Sequence, residues 1–193
     1  MPKVNRNGKA TTLTPTQLDT VMKELSPVAR AVFQVCRYTA ARINETLSLK
    51  WENVLQDYII IPRAVTKKKK IATRSIPLNP ALENELKDWR TAWASKFKRD
   101  ASQSDYIFPG NNDFNVHMTR QNVDFALRQA CKHLGIQGVS THSFRRSALT
   151  LASSNGIPLR DLQEISGHQN LSNLQKYIDV SEDAKKRAVL AFG

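Results

Sequence analysis

Asp57-Tyr-Ile-Ile-Ile-Pro62, four residues further the run Lys67-Lys-Lys-Lys70, and then Ile71-Ala-Thr-Arg-Ser-Ile-Pro77 mark the place where helical periodicity gives way. Two β-rich runs flank four consecutive lysines, which reads as a hairpin with a lysine tip. On both sides of it the apolar residues return to helical spacing. Upstream, Thr14-Pro15 offers an N-cap and a first-turn proline for a helix to about Leu25. Pro27 opens a second helix with Val28, Val32, Val35, Cys36 and Thr39 on one stripe, and a short one runs from about Ile43 to Leu49. Downstream, Asn79-Pro80 caps a long helix whose Leu82, Leu86, Trp89, Trp93 and Phe97 form one face. Tyr106-Ile-Phe108 reads as a short strand before a turn over Pro109–Asp113. Thr119 caps a helix with Val123, Leu127, Ala130, Cys131 and Leu134 inward, stopped by Gly135. Thr141 caps the next, to Gly156, with Phe144, Ala148, Leu151 and Ala152 inward. Pro158 starts a short helix ended by Gly167, and Ser181 caps a last one to about Ala191. The expected fold is mainly α with a small antiparallel β-hairpin: a basic flexible arm over residues 1–12 and one domain over 13–193.

With 193 residues the chain is long enough for one well-cored domain and hardly two. Its charge is lopsided: 29 Lys and Arg against 17 Asp and Glu leave a net +12, the electrostatic footprint of a protein that meets a polyanion. No long apolar run or signal-like N-terminus points to a membrane. Cys36 and Cys131 stand far apart, both on apolar stripes, and read as reduced core residues of a cytoplasmic protein. No His, Cys, Asp or Glu cluster has metal-ligand spacing, so neither metal nor cofactor is expected.

Five further positions carry chemistry. Arg42 begins a helix, and Glu45 three residues on is placed to brace it. His142 and Arg145 are also three apart, on one face at a helix N-terminus, where backbone donors favour an anion. His168 follows the helix-stop glycine Gly167, and Tyr177 lies nine residues beyond it in a polar segment. A metal-free attack on a phosphodiester needs a nucleophile, cations on the non-bridging oxygens, an acid for the leaving oxygen and a group to manage protons. Arginine suits the clamp because its planar fork gives two hydrogen bonds to one phosphate. His117 and His133 match none of these patterns and read as surface or loop residues.

Ala41-Arg42-Ile-Asn-Glu-Thr-Leu47, Thr141-His142-Ser-Phe-Arg145, Gly167-His168 and the spacing to Tyr177 together resemble the motif set of the tyrosine recombinases, the phage-integrase class of DNA strand transferases. The first motif commonly has glycine where Ala40 stands here. The resemblance spans residues 12–193 and implies the catalytic-domain fold of that family, as in its short members, the fimbrial-switch invertases, or a catalytic fragment of a longer chain. It implies Tyr177 as the nucleophile, Arg42 and Arg145 as phosphate clamps, His142 in proton transfer, and His168 bonded to the phosphate. A hairpin lysine supplies the acid. Counting back from Pro77-Leu78 favours Lys69, and counting forward from the first strand favours Lys67. The remaining lysines of the run, with Lys68 and Lys70 among them, read as phosphate contacts, and so does Arg146. The resemblance further implies double-stranded DNA as partner and a homo-tetramer on DNA that exchanges its C-terminal segment, with a monomer in its absence. The rival readings are a non-cleaving DNA-binding regulator of the same fold and a type IB topoisomerase or telomere resolvase.

Overall fold

The computed structural model describes residues 9–62, 73–111, 113–180 and 182–192. The lysine run Lys67–Lys70, residues 1–8 and Ser181 lie outside them. The centre of the molecule is α2, Pro27–Thr39, which buries Ala29, Ala31, Val32, Phe33, Val35, Cys36 and Thr39. It begins at the proline and carries the stripe expected from sequence. Before it, α1 (Pro15–Glu24) is capped by Thr14, whose hydroxyl accepts from Gln17 N while the Gln17 side chain accepts from Thr14 N. After it comes the short α3, Ile43–Leu47.

The hairpin is present: β1 (Tyr58–Ile61) pairs antiparallel with β2 (Arg74–Pro77), Ile59 opposite Ile76 and Ile61 opposite Arg74. Strand alternation turns Ile59, Ile61 and Ile76 inward, and Arg74 shares the buried phase of β2. The long α4, Pro80–Phe97, packs on α2 and buries Leu82, Leu86, Trp89 and Trp93. Trp93 meets Phe97 and Phe114 at ring centroids of 4.8 and 5.1 Å, and Trp89 Nε1 donates to Ile107 O at 2.9 Å. Both tryptophans are therefore core residues, as their spacing suggested.

Several expectations change. Where the sequence suggested a strand at Tyr106–Phe108 and a turn after it, the second ribbon is β3 (Pro109–Gly110) with β4 (Asp113–His117), and the pairing shifts register between Pro109 and Gly110. Residues 106–108 are held instead by single bonds: Ile107 N to Leu49 O at 2.9 Å, Tyr106 N to Phe114 O at 3.2 Å. After α5 (Arg120–His133), α6 (Thr141–Ser154) takes Ser140 as its N-cap, one residue earlier than expected. Its inward face is also rotated: Phe144 and Leu149 are buried beside Ser143, Arg145, Arg146 and Ser147, while Leu151 is exposed. Buried arginines with partners defeat a stripe drawn from apolar residues alone. Finally, the segment after α7 (Leu159–Ser166) contains a short α8, Leu171–Gln175, capped by Asn170 Oδ1 accepting from Asn173 N at 3.0 Å. Five residues are too few for periodicity to reveal. The last helix, α9, spans Glu182–Leu190. Thr11 and Thr12, assigned from sequence to a flexible arm, are tied down: Thr11 N donates to Gly138 O at 3.0 Å, and Thr12 bonds the Asp179 carboxylate.

Because Trp93 is fully buried in an aromatic cluster, Trp93→Ala is expected to destabilise the chain by about 3–5 kcal/mol. Trp93→Phe, which keeps a ring in the cluster, is expected to cost clearly less in denaturant unfolding; equal losses for the two variants would mean that the ring contacts with Phe97 and Phe114 do not carry the stabilisation.

Candidate active site

The site is assembled where the C-terminus of α2, the start of α6 and the turn after α7 meet. Ala40 ends α2 in the left-handed region, φ 50 and ψ 24. That conformation costs any residue with a Cβ and explains why glycine is common at this place in the resembling motif. Arg42 follows as N-cap of α3. Its backbone N–H and guanidinium both donate to Glu45, at 2.9 Å each, so the brace anticipated from sequence exists. Glu45 is buried and accepts a second arginine, Arg74 Nη2, at 2.8 Å. Burial alone would raise the Glu45 carboxyl; the Arg74 bond and charge, then Arg42, outweigh it and hold it below its ordinary value.

Arg74 is the residue that sequence reasoning passed over. It is 7% exposed, and its Nε and Nη1 have no hydrogen-bond partner among the described residues. The signal was an arginine in phase with Ile76 on a strand whose partner is apolar; a buried arginine needs a counter-charge, here 29 residues away. The other side of Arg74 touches Gly167. A Cβ at Gly167 would stand 2.4 Å from Arg74 Nη1, and Gly167 itself has φ +66.

Arg145 is 1% exposed, the most completely buried charge of the site. Nη1 donates to Ala40 O, and Nη2 donates to Ser166 O at 2.8 Å. Nη2 also faces the His168 ring, 3.1 Å from Nε2. Ser166 Oγ lies 2.7 Å from His168 Nδ1 and 3.4 Å from Gln163 O. Since arginine only donates, the consistent arrangement has Nδ1–H donating to Ser166 Oγ and Nε2 accepting from Arg145. His168 is then neutral. Burial, then the charges of Arg145, Arg42 and Arg74, push its pKa down to about 3. Burial and the Arg42 charge pull Arg145 down to about 9, which leaves it protonated at neutral pH.

Tyr177 follows α8, its N–H donating to Leu174 O at 2.8 Å. It is half-buried against Ala40, Leu149, Leu162 and Leu174. Its ring centroid is 4.9 Å from that of His168, and the Arg145 guanidinium carbon lies 5.5 Å from the ring centre. Arg42, Arg145, His168 and Tyr177, up to 135 positions apart in sequence, thus converge. His142 stands half-buried on the first turn of α6. Arg146 is 6% exposed and points elsewhere, to Asp179 at 2.6 Å and Lys176 O at 3.1 Å. Lys67, Lys68, Lys69 and Lys70 lie outside the described residues. Among the described residues no group of three His, Cys, Asp or Glu side chains is placed to hold a metal ion. Cys36 and Cys131 are buried free thiols, and His133 is an exposed residue 2.7 Å from Glu24.

Comparison with known proteins bears on this arrangement. Residues 11–184 match the family model described as the phage integrase family. The chain belongs to that family. Among its curated relatives within the phage integrases is the tyrosine recombinase XerD of Listeria monocytogenes, 28% identical over 154 residues, covering 79% of this chain and 50% of that protein. The tyrosine recombinase XerC of Bacillus pumilus is 27% identical over 181 residues, covering 91% and 58%. The chain therefore spans about half the length of the curated relatives it matches. The crystal structure of XerA recombinase superposes with a TM-score of 0.77 at 21% identity, over 96% of this chain and 66% of that one. XerH recombinase, in a post-cleavage complex with a palindromic difH substrate, gives 0.72 at 21% identity, over 96% and 54%. The fold is that of the catalytic domain of the family, mainly helical with small antiparallel sheets.

Two outcomes follow from the buried polar cluster. Gly167→Ala places a methyl on the Arg74 guanidinium at a left-handed φ, and is expected to cost about 1–3 kcal/mol in denaturant unfolding; a neutral result would mean the turn is not held against β2. For His168, the folded pKa lies below the unfolded one, so protons bind the unfolded chain more readily. Its contribution is complete above the unfolded value of about 6.5 and is lost as pH falls toward about 3. The parent is expected to lose more stability between pH 7.5 and 4.5 than His168→Gln does. Equal losses would mean that His168 is not held neutral.

Proposed function

We propose that this chain is the catalytic part of a site-specific DNA recombinase, which cleaves and rejoins double-stranded DNA through a phosphotyrosyl intermediate at Tyr177. The observation that carries the reading is Arg145: one buried guanidinium lies against the Tyr177 ring and beside His168, with Arg42 close enough to depress it. Attack by the Tyr177 phenol oxygen on the scissile phosphorus forms a 3′-phosphotyrosyl bond and breaks the bond to the 5′ oxygen. Arg42 and Arg145 hold the non-bridging oxygens and offset the charge that develops there. His168, neutral and fixed by Ser166, bonds the phosphate. His142 handles the phenol proton. A lysine of the hairpin turn, Lys69 by its count from Pro77-Leu78, protonates the departing 5′ oxygen. The 5′ hydroxyl of a partner strand then reverses the step, so no external energy source is consumed.

Tyr177 packs against Arg145 and His168 of its own chain, which supports attack in cis. The net charge of +12, from 29 Lys and Arg against 17 Asp and Glu, suits a phosphate backbone, to which Lys67, Lys68 and Lys70 contribute contacts. On DNA the chain works as a homo-tetramer. Val189, Leu190 and Phe192 on and after α9 are 64–84% exposed, an apolar surface suited to docking on a neighbouring copy. No described helix is long and apolar enough to cross a membrane, and a cytoplasmic location accords with the buried thiols.

Tyr177→Phe keeps the ring and removes one oxygen. It is expected to bind DNA as the parent does and to form no covalent adduct on denaturing gels. Arg145→Ala is expected to lose both adduct and affinity. Adduct formation by Tyr177→Phe would place the nucleophile elsewhere, and a parent that binds DNA without any adduct would leave a non-cleaving regulator of the same fold. Lys69→Ala is expected to abolish cleavage of ordinary DNA and to regain it when the 5′ bridging oxygen is sulfur, a leaving group that needs no proton. Rescue of Lys67→Ala instead would move the acid by two positions.

A further inference from the structure

Arg145 and Arg146 are adjacent on α6, yet their side chains serve different places. Arg146 Nη1 donates to Lys176 O at 3.1 Å and Nη2 donates to Asp179 Oδ1 at 2.6 Å, so one guanidinium grips the chain on either side of Tyr177. One turn along the same helix, Thr150 Oγ1 donates to Tyr177 O at 3.3 Å and lies 3.1 Å from Asp179 N, which donates to it. The second oxygen of Asp179 accepts from Thr12 Oγ1. Next to Thr12, Leu13 N donates to Ser147 Oγ at 2.8 Å, again on α6. Burial raises the Asp179 carboxyl, but the bonds from Arg146 and Thr12 and the charges of Arg146 and Lys9 bring it below its ordinary value. It is therefore ionised, and the Arg146–Asp179 pair is charge-assisted.

We infer that Arg146, Thr150 and Asp179 are positioning residues that set the height and register of residues 176–179 on α6, and with them the Tyr177 side chain over Arg145. The inference rests on Tyr177 being the nucleophile. The geometric reason is that Tyr177 leaves a five-residue helix, α8, which is too short to hold a phenol on its own account. Its backbone is fixed to the helix that also carries the phosphate clamp, so nucleophile and clamp share one rigid reference. A displacement of about 1 Å between reacting groups is enough to cost about a hundredfold in rate, which gives such a device its leverage. Thr12 extends the device to the N-terminal segment: Thr12 is bonded to the nucleophile's segment and its neighbour Leu13 to α6. Arg146, whose donors face these internal partners, acts here through Tyr177 rather than on DNA.

The test compares the parent with Thr150→Val, Thr150→Ser, Arg146→Gln and Thr12→Ala, under single-turnover cleavage of a nicked DNA that traps the adduct. Thr150→Val keeps shape and loses both bonds. It is expected to slow cleavage about tenfold or more at saturating DNA, with affinity unchanged within about twofold and the rate restored in Thr150→Ser. Arg146→Gln is expected to slow cleavage at least as much, and Thr12→Ala less. Amide exchange without DNA supplies a readout independent of cleavage: the peptide over residues 176–180 should exchange faster in Thr150→Val and Arg146→Gln, with α2 and α4 unaltered. The inference is overturned if both variants cleave at the parent rate once bound, if Arg146→Gln acts only by weakening DNA affinity and its salt dependence, or if exchange over 176–180 does not change. A parent that forms no adduct removes the nucleophile assignment itself, which the exchange data would show separately from the tethering.

Discussion

A guanidinium cannot be withdrawn from water without partners, and Arg145 is withdrawn almost entirely. The partners it finds are not on its own helix. Ala40 O belongs to the end of α2, Ser166 O to the end of α7, and His168 to the turn beyond. Burying this one charge therefore pins three separate parts of the chain together. The left-handed Ala40 is part of the same constraint, because it sets the carbonyl that Arg145 bonds. Removing a partner of a buried charge typically costs several kcal/mol, so the convergence is enforced as much by folding as by any later use.

Around Arg145 the charges form a graded set. Three arginines, Arg42, Arg74 and Arg145, surround one buried carboxylate, Glu45, which bonds two of them directly. The surplus is positive, and His168 responds by staying neutral. A site with excess fixed cations and a neutral, oriented imidazole is prepared for an anion before one arrives, so little reorganisation remains when charge develops on a phosphate. Arg74 shows how the hairpin takes part: its strand leads out of the lysine run, and its guanidinium stands between Glu45 and Gly167.

Much of this was legible in the sequence. The helices opened by Thr14-Pro15, Pro27 and Asn79-Pro80 begin at those residues, because a cap and a first-turn proline act locally. The hairpin flanking the lysines announced itself by two β-rich runs, and Arg42–Glu45 by helical spacing. What sequence hid depended on distant partners. Arg146 read as a phosphate contact because Asp179, which holds it, is 33 residues away. Arg74 looked like one member of a β run, and its meaning came only with Glu45. The inward face of α6 was misjudged at Leu151 for the same reason, since a stripe of apolar residues is silent about polar groups buried with partners.

The most direct measurement mixes two inactive proteins. On the roles proposed above, Tyr177→Phe keeps the clamp and lacks the attacking oxygen, and Arg145→Ala keeps the oxygen and lacks the clamp. If nucleophile and clamp act within one chain, as the packing of Tyr177 against its own Arg145 and His168 indicates, the mixture on a trapping DNA substrate forms no covalent adduct above either protein alone. Adduct appearing in the mixture, on the Arg145→Ala chain, would contradict a site assembled within a single chain.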